Sequence, residues 1–333
     1  MIKAFLSFCA VCFILLAFVA GGVAYSFSLY KGAGPLGEAK QVTIPKGTGV
    51  SGIASILSKE GLIDHPFLFK VMARVTDMQG SLKAGEYEFS PSVSMADILT
   101  KLAEGKVILR QITIPEGKTS HEIVRLLKAK DDLTQDFETL PAEGALLPDT
   151  YSYQSTDSVV SVLAQMESAM KKTLDEAWEG RAKDLPITTK EEAIILASIV
   201  EKETGVASER ATIAGVFVNR LNAGMPLQTD PTVIYAITKG AHKNDGKGPL
   251  GRRLLRKDLE IDSPYNTYKY AGLPKGPICN PGKEAILAAL NPEKNDYIYF
   301  VADGTGGHIF SKTLAEHNRN VAKWRKIRKQ QNK

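Results

Sequence analysis

The first 30 residues are almost continuously apolar. Between Lys3 and Lys31 the sequence has 27 residues without a charged side chain, more than the roughly 20 residues that cross a bilayer. Two tyrosines near the end of this segment suit a membrane interface. The alternative is a cleavable signal peptide, whose apolar core is shorter and ends in small residues such as those at 20–24. The length favours an uncleaved transmembrane anchor over residues 1–30, with a short cytoplasmic tip and the bulk of the chain exported.

Two later segments repeat one pattern, in which a short apolar strand leads through Pro and Gly into an amphipathic helix. Residues 42–47 (VTIPKG) and 112–117 (ITIPEG) each begin such a unit. Between them, the periodicity predicts helices over 67–75 and 95–102 and an alternating strand over 85–89. These elements predict a small α+β subdomain.

The flanking segments set the boundaries of that subdomain. Residues 31–41 are rich in glycine and are typical of a flexible linker. A loop that contains Gly and Pro, residues 143–151 (EGALLPDTY), joins the two halves of the chain. We therefore predict an α+β protein with an anchor at 1–30, a linker at 31–41, a small subdomain at 42–140 and a larger mixed α+β domain at 141–333.

An apolar run in the second half of the chain ends in a carboxylate. Residues 193–200 are uncharged and lead directly into Glu201. Capping-box spacing just upstream predicts a helix that begins near residue 189, and Gly205 suits its end. On a helix, Glu201 continues the apolar stripe of positions 194, 197 and 198. Glu203 lies about 200° further round and is predicted to face water.

The surroundings of Glu201 suit a general acid. A carboxyl group packed against apolar side chains loses hydration, which disfavours its charged form and raises its pKa. A general acid that works near neutral pH needs this shift. The alternative is that Glu201 is simply the first solvated residue after a buried helix.

Two downstream segments supply further candidate groups. Asp230 precedes Pro231, as in a helix N-cap followed by proline at the first helical position. Asp230 therefore either caps a helix or orients substrate beside Glu201. Residues 263–282 combine tyrosines, amide side chains, Pro and Gly in one irregular run. Tyrosine faces and amides suit sugar rings, whose C–H faces stack and whose hydroxyls need hydrogen-bond partners.

The end of the chain is regular. A helix is predicted over 283–290, a hairpin around 303–307 and a final helix from Thr313. After Glu316 the sequence has seven basic side chains and no acidic one. This basic end is interpreted as the solvated last turns of a helix, or as a contact for anionic polymer or lipid.

Several classes of chemistry lack their motifs. The three cysteines, at positions 9, 12 and 279, have no metal-binding spacing and no obvious disulfide partner. His308 and His317 are not at metal spacing. We find no nucleophile elbow and no phosphate-binding glycine loop. No metal or other cofactor is expected, and nothing beyond the basic end suggests nucleic-acid binding.

Glycoside cleavage fits what remains. Hydrolysis of a glycosidic bond usually uses two carboxylates, and Asp230 is the nearby second candidate. A one-carboxylate route exists when the substrate supplies its own nucleophile, as the C6 hydroxyl of muramic acid can.

Several long segments resemble one known family in order and in spacing. The chain is similar to the endolytic murein transglycosylase (YceG-like) family, from the anchor to the last helix. One departure is Lys275, where the family commonly has a second proline. The segments that carry the resemblance are 199–204 (IVEKET), 227–235 (LQTDPTVIY), 265–268 (YNTY), 272–278 (GLPKGPI), 299–301 (YFV), 308–311 (HIFS) and the 143–151 loop.

The resemblance implies a single-pass inner-membrane protein with a LysM-like subdomain and a periplasmic catalytic domain. It implies that Glu201 cleaves the bond between N-acetylmuramic acid and N-acetylglucosamine within glycan strands, leaves 1,6-anhydro ends, and acts beside peptidoglycan synthases on nascent strands. A scaffold that binds peptidoglycan without catalysis and a hydrolytic muramidase are the alternatives. The inferred substrate-contacting residues are Gln228, Thr229, Asp230, Tyr265, Asn266 and Tyr268.

Overall fold

The computed structural model describes residues 2–241 and 250–331. The chain forms two compact units, each with its own hydrophobic core. Unit 1 comprises Met1–Arg110 and Ser152–Asp157, and unit 2 comprises Gln111–Tyr151 and Ser158–Lys333. Both units combine helices with small two-stranded sheets, so the predicted α+β class is confirmed. Residues 240–262, whose polar and initially glycine-rich sequence predicts a surface loop, lie partly outside the described residues.

Unit 1 begins with the apolar helix α1, Ile2–Lys31. Within the described part of the chain, α1 is the one helix that is long and apolar enough to cross a membrane. The segment predicted as a flexible linker is hydrogen-bonded to this unit. The Gly34 N–H donates to the Ser92 carbonyl at 3.2 Å, and the Ser92 N–H donates to the Leu36 carbonyl at 2.8 Å. Leu36 is buried, which fixes the segment against the core.

The rest of unit 1 is a small α+β body. Strand β1 (Lys40–Ile44) pairs antiparallel with β2 (Gly85–Phe89), so that Lys40 lies opposite Phe89. The last helix of the unit covers Met95–Glu104. Ser94 caps it by accepting the Asp97 N–H, and Gly105 ends it in the left-handed conformation that glycine tolerates. The helices are α2 (Val50–Lys59), α3 (Pro66–Val75) and α4 (Met95–Glu104).

The division between the units falls earlier in the chain than the predicted boundary near residue 140. It passes through β3 (Arg110–Thr113) and β4 (Thr150–Tyr153), so α5 (Ser120–Lys128) belongs to unit 2. Side-chain chemistry explains this placement. The Thr119 hydroxyl, which also caps α5, donates to the Gly240 carbonyl at 2.7 Å. Sequence periodicity shows that a helix forms there, but it does not show which core the helix joins.

Unit 2 is mainly helical and is built around one central helix, α7 (Lys190–Glu203). The helices α8, α9 and α10 pack against α7, and residues 193–200 are all buried. The other elements are α6 (Val159–Glu179), α8 (Arg210–Asn222), α9 (Asp230–Thr238), α10 (Lys283–Leu290), α11 (Leu314–Gln331), the hairpin strands β5 (Tyr299–Ala302) and β6 (His308–Ser311), and two 3₁₀ turns, Ala207–Glu209 and Arg256–Glu260.

The predicted start of α7 is confirmed. Thr189 and Glu192 form a capping box, in which the Thr189 hydroxyl accepts the Glu192 N–H at 3.1 Å. The prediction that Glu203 faces water is wrong. Residues 193–200 are all buried and Ser198 is the one polar side chain among them, so this part of α7 has no solvent-facing side and is enclosed by protein. The second carboxylate therefore meets protein as well.

A pair of phenylalanines on α3 tests the assigned core of unit 1. Phe69 is fully buried and Phe67 is 74% exposed. We expect Phe69→Ala to destabilise unit 1 by about 3–5 kcal/mol, because a cavity replaces the ring, and Phe67→Ala to change stability by less than about 0.5 kcal/mol. Hydrogen exchange of the β1 and β2 amides measures the difference. Equal protection in the two variants would contradict this assignment of the core.

Candidate active site

Glu201 lies at the carboxyl end of α7, partly buried. The Gly282 N–H donates to its Oε2 at 3.0 Å. Burial raises the pKa of Glu201, and the nearby negative charge of Glu116 raises it further. The Gly282 hydrogen bond and the positive charges of Arg210 and Lys202 act in the opposite direction, but burial dominates. The site therefore favours the protonated acid at a higher pH than an ordinary glutamate would.

The loop that carries Gly282 is fixed directly to α7. The Ile278 N–H donates to the Ser198 hydroxyl at 3.1 Å, and the Cys279 thiol lies 3.4 Å from the Ser198 carbonyl oxygen. Ser198 is one helical turn before Glu201. Because both contacts come from the same turn of α7, the loop holds the Gly282 N–H in register with the Glu201 carboxyl group.

A second carboxylate, Glu116, comes from the turn between β3 and α5. Its partner is Arg210, whose Nη2 lies 3.3 Å from Glu116 Oε2. The Gly117 N–H of the same turn donates to the Asn280 carbonyl at 3.1 Å, and Lys202 Nζ donates to the Gly117 carbonyl at 3.3 Å. Any side chain added at Gly282 would overlap the Glu116 carboxylate. Glycine at this position therefore lets the turn and the loop meet beside Glu201.

A buried polar network centred on Glu143 supports the same loop. Glu143 Oε1 accepts from the Ser120 N–H at 2.8 Å and from Asn280 Nδ2 at 3.0 Å. Asn280 is completely buried, and its Oδ1 accepts the Leu146 N–H at 2.9 Å. Burial raises the pKa of Glu143 to about 7, against the hydrogen bonds from Ser120 and Tyr235. The 143–151 loop is thereby tied to the residues that precede Gly282.

Glu203 belongs to a different cluster from Glu201. Its carboxylate accepts a hydrogen bond from the Thr229 hydroxyl. Burial raises the pKa of Glu203, and the charge of Asp230 adds to this effect. Asp230 in turn accepts the Tyr268 hydroxyl at 2.6 Å. This hydrogen-bonded chain places the 229–230 segment beside Glu203.

The capping prediction for Asp230 is wrong in detail. The N-cap of α9 is Thr229, and Asp230 is the first helical residue with Pro231 after it. The Thr229 hydroxyl makes no capping bond because it donates to Glu203. The Asp230 side chain is bonded to Tyr268 and so takes part in the polar cluster.

The six predicted substrate-contacting residues differ in exposure. Gln228 is exposed, with φ at 49°. Tyr265 packs against Tyr235, with ring centroids 4.9 Å apart. Thr229 and Asn266 are buried. The Asn266 amide donates to the carbonyls of residues 259 and 261 at 2.8 and 2.9 Å and accepts the Tyr268 N–H, so it is used in holding the loop.

The two histidines of the C-terminal segment pack within the protein. His308 Nδ1 lies 2.7 Å from Glu209 Oε2, and His317 stacks on Tyr299 at 5.2 Å. Over residues 2–241 and 250–331, no three His, Cys, Asp or Glu side chains come together in a way that could hold a metal ion.

Sequence reasoning missed Glu116, Arg210, Glu143, Asn280 and Gly282. One signal was present in the repeated strand–turn units, since the first has Lys46 where the second has Glu116. A change of charge at equivalent turns indicates that the second turn has a separate role. Arg210 begins α8, nine residues after Glu201, and the other three are brought to α7 by the packing of loops that are distant in the sequence.

Comparison with known proteins gives consistent matches. The model of the YceG-like family matches residues 42–323. The protein named "Endolytic murein transglycosylase" of Bacillus subtilis is 35% identical over 314 residues, covering 85% of this chain and 84% of that protein. A protein of the same name from Streptococcus pneumoniae is 33% identical over 330 residues, which cover 84% of this chain and 57% of that protein.

A solved structure agrees with these matches. The crystal structure of a yceG-like protein from Listeria monocytogenes is 35% identical, with a TM-score of 0.50. The match covers 85% of this chain and 99% of that one.

The Glu143 network makes stability depend on pH. Between the usual glutamate pKa of 4.5 and about 7, the folded state holds a proton that the unfolded state releases. The contribution of Glu143 to the free energy of unfolding is therefore full below pH 4.5 and is lost as pH rises through 7, by about 3 kcal/mol in total.

We expect Glu143→Gln to remove this dependence, so that its stability relative to the wild type increases between pH 5 and pH 8. Denaturant midpoints across that range measure it, with Glu167→Gln, an exposed carboxyl on α6, as the matched control. Parallel pH profiles for Glu143→Gln and the wild type would contradict the assignment.

Proposed function

Because the chain belongs to the YceG-like family, we propose that it is an endolytic murein transglycosylase. Such an enzyme is a lyase that cuts peptidoglycan strands internally between N-acetylmuramic acid and N-acetylglucosamine, leaving 1,6-anhydromuramoyl ends. The observation that carries the proposal is Glu201, a partly buried carboxyl with a raised pKa at the end of the central helix.

In the proposed mechanism, Glu201 acts first as acid and then as base. The Gly282 N–H occupies Oε2, which leaves Oε1 to carry the proton. Glu201 protonates the glycosidic oxygen, the bond from that oxygen to C1 of muramic acid breaks, and the N-acetylglucosamine end leaves with its new hydroxyl. Glu201 then takes the proton of the C6 hydroxyl while O6 bonds to C1. The carboxyl group is protonated again at the end, and no water is consumed.

The residues around Glu201 have supporting roles in this mechanism. The negative charge of Glu116 favours the protonated form of Glu201, and an ion pair with Arg210 holds Glu116 in place. Arg210 Nε is buried without a hydrogen-bond partner among the described residues, so the contact of Arg210 with Glu116 is made through Nη2. Gln228, Asp230, Tyr265 and Tyr268 are the proposed contacts for sugar, and Thr229 and Asn266 support them from behind.

The location proposed for this activity is the outer face of the inner membrane. Helix α1 would cross the membrane once, with its first residues in the cytoplasm and the catalytic unit, unit 2, in the periplasm. The small subdomain would be LysM-like and would bind glycan. Nascent strands and the peptidoglycan synthases that make them are the proposed substrate and partners.

Hydrolysis by a muramidase is the second candidate function, and one observation favours it. Glu116 is a second carboxylate close enough to Glu201 to change its pKa, and hydrolases usually work with two such groups. Its bond to Arg210 argues for an electrostatic role. The products decide, because hydrolysis adds one water and transglycosylation adds none.

Replacement of the acid tests the proposed reaction. Purified glycan strands incubated with the wild type should yield anhydro ends, identified by mass spectrometry. Glu201→Gln should lower the rate by about 10²–10⁴-fold, the usual contribution of a general acid–base group. Glu191→Gln, an exposed carboxyl on the same helix, is the matched control and should keep full activity. Products that contain one added water would establish hydrolysis, and equal rates in the two variants would exclude Glu201 as the acid.

The charges around Glu201 predict opposite shifts in the pH profile. Activity should fall as pH rises through the raised pKa of Glu201, because the acid must be protonated. Glu116→Gln removes the negative charge that raises this pKa, so the alkaline limb of kcat/KM should move to lower pH. Arg210→Gln removes a positive charge and should move the limb to higher pH. If neither variant shifts the limb, Glu201 is not the group that titrates.

A further inference from the structure

Helix α3 of unit 1 presents an apolar stripe to solvent. Phe67, Val71 and Val75 are spaced at i, i+4 and i+8, which places them on one face of the helix. They are 74%, 37% and 72% exposed, whereas Phe69 and Ala73 on the other face are fully buried. The stripe is therefore a second apolar face of α3, separate from the face that packs in the core.

The exposed face continues the apolar surface of α1. A cavity of about 880 Å³ lies between the two helices. On the α3 side it is lined by the three stripe residues, and on the α1 side by residues that include Val19, Val23 and Phe27. The two helices belong to the same compact unit, and Tyr30 of α1 is buried in its core. The apolar stripe therefore lies beside a helix that is itself suited to lipid.

The position along α1 corresponds to a membrane interface. The α1 residues that line the cavity lie between Val19 and Leu29, which is about 15 Å of helix. The charge-free segment before Lys31 is about 40 Å long at the same rise, which exceeds the roughly 30 Å of a hydrocarbon core. If the hydrocarbon core of the bilayer surrounds the earlier part of α1, then α3 lies against the part of α1 that emerges through one leaflet and its headgroups.

The charges on α3 suit a surface of phospholipids. Lys70 and Arg74 are one turn apart on α3, and Lys70 Nζ lies 5.8 Å from the Phe67 ring centroid. Long basic side chains can rest their apolar stems along such a surface and reach headgroup phosphates. A short helix with an apolar face and basic flanks is typical of an interfacial helix, and basic residues near the surface favour anionic lipid.

We propose that α3 is an interfacial membrane helix, whose Phe67, Val71 and Val75 face enters the outer leaflet beside α1. Its partner is the phospholipid bilayer itself. The small unit would then be fixed to the membrane at two elements, so it could not rotate freely about α1. The proposal rests on the membrane anchoring of α1 in the proposed function and is independent of the chemistry at Glu201.

Spin labelling of the full chain tests this placement. Cys9→Ser and Cys12→Ser remove the two cysteines of α1, and Cys279 is buried. Single cysteines then carry a nitroxide at position 71, at position 19 in α1, and at position 55, an exposed serine on α2 that serves as the matched control. The protein is reconstituted in vesicles of phosphatidylethanolamine and phosphatidylglycerol, and power saturation compares access to oxygen with access to a water-soluble nickel chelate.

The proposal predicts a graded result. The label at 71 should favour oxygen over the nickel chelate, at a shallower depth than the label at 19, while the label at 55 favours the chelate. If the label at 71 favours the chelate, as the label at 55 does, while the label at 19 favours oxygen, then α1 crosses the membrane but the α3 proposal is wrong. Spin–spin broadening at 71 would mean that a second copy covers the face, and would also overturn it. If the label at 19 favours the chelate, α1 is not in the bilayer and the proposed anchoring itself is wrong.

The variant Val71→Glu supplies a second test, which needs no spin label. Val71 is a surface residue, so the variant should fold, and hydrogen exchange of β1 and β2 should be unchanged. In the same vesicles, exchange of the α3 amides should increase relative to the wild type, because the helix no longer inserts. Equal α3 exchange in both proteins would contradict the proposal.

Discussion

The enclosure of α7 is the constraint on which the rest of the site depends. After its first turn, eight consecutive buried residues, 193–200, leave this helix no solvent-facing side before Glu201. A carboxyl group at that position cannot keep its full hydration, and lost hydration disfavours the charged form. The loops and helix termini that surround α7 then determine how much of the charge is compensated, because each of them brings a hydrogen-bond donor or a charged group to the same end of the helix.

Among the described residues of unit 2, the carboxyl groups of Glu143, Glu201 and Glu203 have raised pKa values, yet their surroundings differ. Glu143 accepts hydrogen bonds from Ser120, Asn280 and Tyr235, and Glu203 accepts from Thr229. These two hold loops together. Glu201 accepts a single backbone N–H, that of Gly282, in the contacts of the described residues. Glu143 and Glu203 are bonded to side chains of other segments, whereas the donor to Glu201 is a backbone N–H, which distinguishes the proposed acid from its two neighbours.

The sequence predicted the elements well because their signals are local. The capping box that begins α7, the helix over 95–102 and the β5–β6 hairpin all follow from short-range rules. The errors concern long-range packing. Glu203 was assigned to water because a one-sided helix was assumed. The 111–140 segment was grouped with the small subdomain because its local pattern repeats that of residues 42–62, whereas it belongs to unit 2.

The candidate site shows the same limit. Glu201 could be found from the apolar run that precedes it, but its partners Gly282 and Glu116 lie about 80 residues away on either side. Asn266 looked suited to sugar by composition, whereas its amide is fully used in fixing its own loop. Neither periodicity nor spacing contains information about which loops meet at the end of a buried helix.

The most direct test of the account is the titration of Glu201 itself. Protein labelled with ¹³C at the glutamate carboxyl carbons would be followed by NMR across the pH range, and the Glu201 signal identified by its loss in Glu201→Gln. The account predicts a midpoint above the ordinary value of 4.5. A midpoint at or below that value would show that the carboxyl is well solvated or strongly paired, and would contradict its role as the acid.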